Sequence, residues 1–198
     1  EIQEPPNVVA FNVLIGLHNE IAKVDPCNAF LIACLERVAK ISAFAKRNLS
    51  TQATVFLQST LQDSSAANKP AEWWQSCFER VLFLLINFNF RWSSKSQKQQ
   101  AMKLCGADDS PNDRQPAGAM MACRVMLAHY AEWLAEASPP VSEIFVHTVD
   151  QIQDQILQFQ EETPMFDHAL TNLMAVVGAD PNFKSLKYNG MDLTTVIC

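Results

Sequence analysis

Glycine is scarce in this chain, at five residues of 198, and none of the five belongs to a glycine-rich loop of the kind that cradles phosphates. Also missing are a G-x-S-x-G elbow, an H-E-x-x-H pair and any C-x-x-C pair. Each absence removes the chemistry that needs it: backbone N–H groups wrapped round a phosphate, an elbow-mounted serine, a helix-borne zinc, a redox dithiol. Charge is sparse too. Charged residues make up 18% against 48% hydrophobic, and a chain with that much apolar surface to bury is not intrinsically disordered over most of its length. Nor is there a long hydrophobic run. The stretch between Arg80 and Arg91 is ten residues and contains Asn87 and Asn89, well short of the ~20 that cross a bilayer. It reads as a central core helix, and no membrane span is expected.

What is present points to an all-α fold. The ten prolines fall mostly between apolar runs, where they punctuate helices. The six cysteines stand at 27, 34, 77, 105, 123 and 198, with Cys27 and Cys34 seven apart; two helical turns separate such a pair by roughly 10 Å, too far to bridge. Free thiols fit a cytoplasmic or other reducing compartment, in which the Asn48-Leu49-Ser50 triplet would carry no glycan. The chain opens on Glu1 without an N-terminal apolar h-region, the pattern of an excised domain or a processed form. Cys198 lacks the C-a-a-X arrangement of a prenyl anchor.

Start and stop signals predict about eight helices in one domain. The first follows Pro5-Pro6 and reaches Lys23, with Val9, Val13, Leu17 and Ile21 as its apolar stripe. Asp25 caps the second, Pro26 opens it, and Phe30, Cys34, Val38 and Ile41 form its buried side. Ser50 caps the third, which buries Val55, Phe56 and Leu61. The fourth starts at Pro70 and stops near Phe90; alternation in Asn87-Phe-Asn-Phe-Arg-Trp92 also suits a short extended piece. A fifth spans Ser94 to Cys105, Pro116 opens the sixth, Pro139-Pro140 the seventh and Thr163-Pro164 the eighth, which Gly178 closes.

The stretch CLERV at 34–38 returns as CFERV at 77–81, and Arg-Val recurs at 124–125. Cys34 and Val38, like Cys77 and Val81, are four apart and share a buried stripe, while the Glu and Arg between them point sideways, where a neighbouring hairpin can pair with them. Prolines at 26, 70, 116 and 164 keep a similar step. A period of this length with two helices per unit resembles the HEAT and armadillo repeats, in which helical hairpins stack into a solenoid. The expected hairpins are about 7–47, 50–91, 94–137 and 140–177, with a C-terminal tail at 178–198. An irregular helical bundle is the structural alternative.

Few constellations carry chemistry. Asp108-Asp109-Ser-Pro-Asn-Asp113 has the outline of an aspartate-rich magnesium motif, but Gly106 and Pro111 break the helix such a motif needs to align its oxygens, so it reads as a solvated acidic loop. On the sixth and seventh helices, His129, Glu132 and Glu136 lie opposite Glu143, His147, Asp150 and Asp154. The apolar stripe through Met120, Cys123, Leu127, Tyr130 and Leu134 places His129 on the far, solvated side. His18 and His168 stand alone. No cofactor or metal is expected, and the chain reads as not an enzyme.

Surface charge is uneven. Residues 69–105 hold six basic and two acidic side chains, residues 106–198 four and thirteen, a polarity that suits self-association head to tail or two different partners. The most distinctive surface stretch is RWSSKSQKQQAMK at 91–103, where Arg91, Lys95, Lys98 and Lys103 stand with Trp92 and no acid. These are the candidate contacts for a partner, with Arg114 added from the following loop. The leading functional reading is a helical scaffold or adaptor for protein–protein interaction. The alternative is a nucleic-acid-binding, nucleocapsid-like protein that sets the basic stretch on phosphates and stacks Trp92 on a base. A third reading makes it a helical regulator that offers Arg114 to a nucleotide-dependent partner.

Overall fold

The computed structural model describes residues 6–63, 69–87, 95–96, 99, 115–135, 139–158, 171, 187–188 and 191–192. The long elements among them are helices: α1 (Pro6–Val24), α2 (Ala29–Phe44), α3 (Arg47–Gln62), α4 (71–87), α5 (Gln115–Ala135) and α6 (Pro139–Gln158). Two-residue strands β1 (Lys187–Tyr188) and β2 (Met191–Asp192) pair antiparallel. The all-α class expected from proline punctuation is the class observed. Of the expected helix over 94–105 only residues 95–96 and 99 are described, and of the one from Thr163-Pro164 only residue 171, each helical; the 108–113 acidic loop, Cys105 and Cys198 lie outside the described residues.

The turn between α1 and α2 corrects one expected cap. Asp25 does not cap α2. Its Oδ1 accepts from the Cys27 amide at 3.2 Å, closing a local Asx turn that contains Pro26. Asn28 is the cap instead, its Oδ1 accepting the Phe30 N–H at 2.8 Å and satisfying one of the helix's orphan donors. The start of α2 thereby moves past the proline, and Phe30, expected inside, is 47% exposed.

Ser50 is likewise no cap. α3 begins at Arg47, and Ser50 lies buried within it, its Oγ donating to the Ser42 carbonyl of α2. The α3 seam is Leu49, Ala53, Leu57 and Leu61, every fourth residue, and burial of each leucine contributes about 1.5–3 kcal/mol. Val55, expected in that seam, is exposed. A small alanine carries the stripe where a search for large side chains would step over it.

The central helix, α4, comprises α-helical Ala71–Cys77, π-helical Phe78–Leu82 and α-helical Phe83–Asn87. It buries Trp73 and Trp74, Cys77 and Phe78, Val81 and Leu82, Leu85 and Ile86, pairs that recur every four residues. An α-helix makes a turn in 3.6 residues, so a four-residue repeat drifts off the core within a few turns. The π segment, closed by the Phe83 amide on the Phe78 carbonyl, takes up one extra residue and brings the later pairs back. α4 packs against α2, α5 and α6, and its residues join those of the other helices in one continuous apolar core.

At the α4–α5 crossing the backbones come close. A Cβ built on Gly118 would stand 2.8 Å from the Leu85 Cβ and carbonyl carbon, a distance that carbon atoms in van der Waals contact do not reach. α6 shows a clean division: Ile144, Phe145, Val149 and Ile152 are buried, while Glu143, His147, Asp150 and Asp154 face solvent as expected.

Candidate functional site

α1 departs most from its expected orientation. Val9, Val13 and Leu17 are 46%, 64% and 44% exposed, whereas Phe11 and His18 are buried. The helix is apolar on more than one side, so the i, i+4 stripe that stands out in sequence is its outer ridge, and the inward side is the one carrying Phe11, Leu14, Ile15 and His18. His18 anchors that side. Its ring stands edge-on to Phe56 of α3 at 5.3 Å, and its Nδ1 lies 3.2 Å from Asn19 Oδ1. Burial pulls the His18 pKa below the usual histidine value, the hydrogen bond to Asn19 opposes this, and the Lys69 charge adds to the lowering.

Where α1 meets the end of α2 and the start of α3, the helices leave a groove of about 550 Å³, within the size range of sites that hold drug-sized ligands or a few large side chains. Phe11, Phe44 and Leu49 form its base. Ala10 and Leu14 supply the α1 wall, Ile41 and Ala45 the α2 wall. Polar groups are confined to Asn7, Lys40 and Lys46. On α1, Ala10 lies three residues before Val13, and Leu14 three before Leu17, so the outer ridge and the groove wall are adjoining helix faces.

The cationic end has a definite electrostatic setting. Lys46 is exposed and immediately precedes α3, which has no side-chain cap of its own. Lys40 is largely covered, with its Nζ 3.9 Å from Glu36 Oε1, and the other Glu36 oxygen accepts from Arg80 Nη2 at 3.0 Å. Burial lowers the Lys40 pKa from the usual lysine value, the Arg37 charge lowers it further, and Glu36 pulls it back up. No acidic side chain lines the groove among the described residues.

Of the contacts expected from sequence, Lys95 is helical and exposed; Arg91, Trp92, Lys98, Lys103 and Arg114 lie outside the described residues. The expected solvated position of His129 is overturned. It is 2% exposed, its Nε2 lies 2.6 Å from the Leu61 carbonyl at the end of α3, and its ring packs 5.0 Å from that of Trp74. Ala122, Val125, Met126 and His129 follow i, i+3, i+4, i+7 spacing, and that stripe would have placed His129 inside. Cys34, Cys77 and Cys123 are buried free thiols and Cys27 an exposed one. No cluster of metal-ligating side chains is found among the described residues, and no helix there is long and apolar enough to cross a membrane.

The groove residues carry no signal as a set in the sequence, because they come from three helices and only their packing unites them. Val9, Val13 and Leu17 do carry one, as a second apolar stripe that a single neighbouring helix could not cover.

The family model described as the GBF1-like, tetratrico peptide repeat region matches residues 31–192. No curated protein matches the chain, and no solved structure does. The matched span opens inside α2, so the groove joins helices within it to α1, which precedes it. Tetratrico peptide repeats, like the HEAT and armadillo units the sequence resembles, are built of stacked helix pairs that bury their apolar faces against neighbours, and such repeats typically mediate protein interactions.

Proposed function

The chain belongs to the family of the GBF1-like tetratrico peptide repeat region, and on that premise we propose that it is a non-enzymatic protein-interaction scaffold whose partner sits in the groove between α1, α2 and α3. The observation that carries this reading is the continuity of apolar surface from the groove onto an exposed helical ridge. Val9, Val13 and Leu17 lie on the surface of a chain that buries a full core elsewhere, and contiguous apolar patches at a concave surface mark interaction sites. Phe11 and Phe44 give the groove a rigid aromatic base, fixed by the core beneath it. The helices serve as support, holding the groove open rather than performing chemistry.

The test is site-specific photocrosslinking. A photoreactive residue at position 14 in the groove wall, and a control at the exposed position 154 on α6, would be irradiated in native lysate treated with nuclease. The reading expects a protein adduct from position 14 that Val13→Asp with Leu17→Asp removes and that position 154 does not give. Equal adducts at both positions, or an adduct unaffected by the ridge substitutions, would remove it.

A further inference from the structure

Resting on the scaffold reading, we propose that the occupant of the groove is an amphipathic helix of another protein, with carboxylates at the end of its apolar stripe that reaches Lys46 and Lys40. Three observations carry this choice. The first is length and spacing. From Val9 to Leu17 the ridge advances eight residues, roughly 12 Å along the axis, and presents apolar side chains at i, i+4 and i+8. A helix lying alongside meets such a ridge with its own side chains at i, i+3/i+4 and i+7.

The second is the chemistry of the backbone around the groove. The walls of the groove are helices, whose interior N–H and C=O groups are already paired. An extended peptide would find no strand edge there to hydrogen-bond with, whereas a helix brings its backbone already satisfied. The available volume of about 550 Å³ then receives two or three large apolar side chains and leaves the polar face of the ligand outside.

The third is charge. Lys40 and Lys46 are both at the groove, Arg47 follows them exposed on α3, and no acidic side chain lines the groove among the described residues. Beyond Leu17 the other end of α1 carries Glu20 and Lys23, which pair with each other at 2.6 Å and present little net charge. The asymmetry orients a ligand. Glu36 offsets part of the Lys40 charge, so it is chiefly exposed Lys46 and Arg47 that draw an anionic end to this side and repel a cationic one.

The proposal is tested with two synthetic helix-favouring peptides of equal length, each bearing leucine at i, i+3, i+4 and i+7 on an alanine and glutamine background. One ends in three glutamates and the other in three lysines; versions with the charges at the opposite end cover both directions. Binding is read by fluorescence anisotropy on the full chain at low and at physiological salt. The expected result is binding of a glutamate peptide at least about tenfold tighter than any lysine peptide, a difference of 1.4 kcal/mol, weakening as salt is added. Lys46→Glu, at an exposed position, should cost about tenfold for the glutamate peptide, and Val13→Asp should abolish binding of both, with circular dichroism unchanged. Lys40→Met, which keeps the aliphatic stem, gives a second reading of the charge.

Equal affinity for the two charge types, or no effect of Lys46→Glu and Lys40→Met, overturns the proposal. So does preferential binding to vesicles of phosphatidylserine and phosphatidylcholine, which would make the ridge a lipid contact. A concentration-dependent dimer that Val13→Asp converts to monomer would also overturn it, the occupant then being a second copy of the chain. If the photocrosslinked partner survives Lys46→Glu and is lost on Val13→Asp, the scaffold reading stands and the acidic-helix inference fails.

Discussion

Arg80 of α4 lays its Nη2 3.0 Å from Oε2 of Glu36 on α2, so the two copies of the C-x-E-R-V stretch are joined to each other, the arginine of the second to the glutamate of the first. Around this pair the cysteine and valine of each copy are buried, and α2 and α4 pack side by side. Glu36 is more covered than Arg80, at 18% against 46% side-chain exposure, and it also holds Lys40. The pair is partly screened by solvent, which limits its net contribution to about 0.5–1 kcal/mol. A double-mutant cycle with Glu36→Gln and Arg80→Gln, followed by urea unfolding, should therefore give a favourable coupling of about 0.5 kcal/mol. The exchanged pair Glu36→Arg with Arg80→Glu should recover part of the loss. Coupling indistinguishable from zero would leave the sequence echo without an energetic role.

Gly118 makes a sharper test of the fold. Its missing side chain is what lets α5 cross α4 at Leu85, where a Cβ would meet backbone and Cβ atoms at 2.8 Å. Alanine is ordinarily the better helix former by about 1 kcal/mol, so on an open helix face Gly118→Ala would stabilise. Here the crowding wins, because neither the Leu85 backbone nor its Cβ can rotate away. The expected outcome is a net destabilisation of about 1–3 kcal/mol, visible as a lowered thermal midpoint. Gly16 is the internal control: nothing lies within 4 Å of the point a Cβ would occupy there, so Gly16→Ala in α1 should raise the midpoint.

Much of this architecture is legible from residue pattern, and what is not has definite physical causes. Proline punctuation and apolar periodicity are enough for the helical class, and the C-x-E-R-V stretch announces both its buried Cys and Val and the sideways reach of its Glu and Arg. Caps are less readable. Asp25 and Asn28 both carry an oxygen suited to capping, and the choice between them is made by which one reaches a free N–H once the turn has formed. α1 misleads because a helix with two apolar sides does not say which faces the core. The stripe from Met120 to Leu134 puts His129 on the solvated side, yet the Leu61 carbonyl and the Trp74 ring give it a partner and a packing surface that no local window contains. The groove is an extreme case of the same kind, since its aromatic base joins Phe11 of α1 to Phe44 of α2, and Lys46 and Leu49 reach it from beyond the end of α2.

Thiol chemistry can report on the core directly. Burial pushes both Cys77 and Cys123 up to about 12, with the Lys69 charge opposing the rise at Cys77. The thiolate is the reactive form, so at pH 8 these two positions hold almost none of it and are also sterically closed. Among the described cysteines, iodoacetamide mapped by mass spectrometry should modify Cys27 within minutes and leave Cys34, Cys77 and Cys123 unlabelled until denaturant is added. Because α4 lies between α2, α5 and α6, labelling of Cys77 should follow global unfolding, with a midpoint in urea equal to that from circular dichroism. Modification of Cys77 under native conditions at the Cys27 rate would contradict the described packing of α4.

His18 makes the docking of α1 depend on pH, and the sign follows from its surroundings. Its ring is buried against Phe56, and burial, reinforced by the Lys69 charge, holds its pKa below the ordinary value near 6.5 despite the hydrogen bond to Asn19. In the window between the lowered folded pKa and about 6.5, the undocked state binds more protons than the docked one, so docking strengthens as pH rises through it and weakens as pH falls. Hydrogen exchange of the α1 amides should therefore lose protection when the pH is taken from 7.5 to 5.5, after correction for the intrinsic exchange rate, while the α4 amides change less. His18→Phe keeps an aromatic ring beside Phe56 and removes the titration, so its α1 protection should be flat across the same range. Because the groove needs α1 in place, peptide binding should weaken over this pH range in the native chain more than in His18→Phe. An identical pH profile in the two proteins would assign the effect to other groups and leave His18 as packing alone.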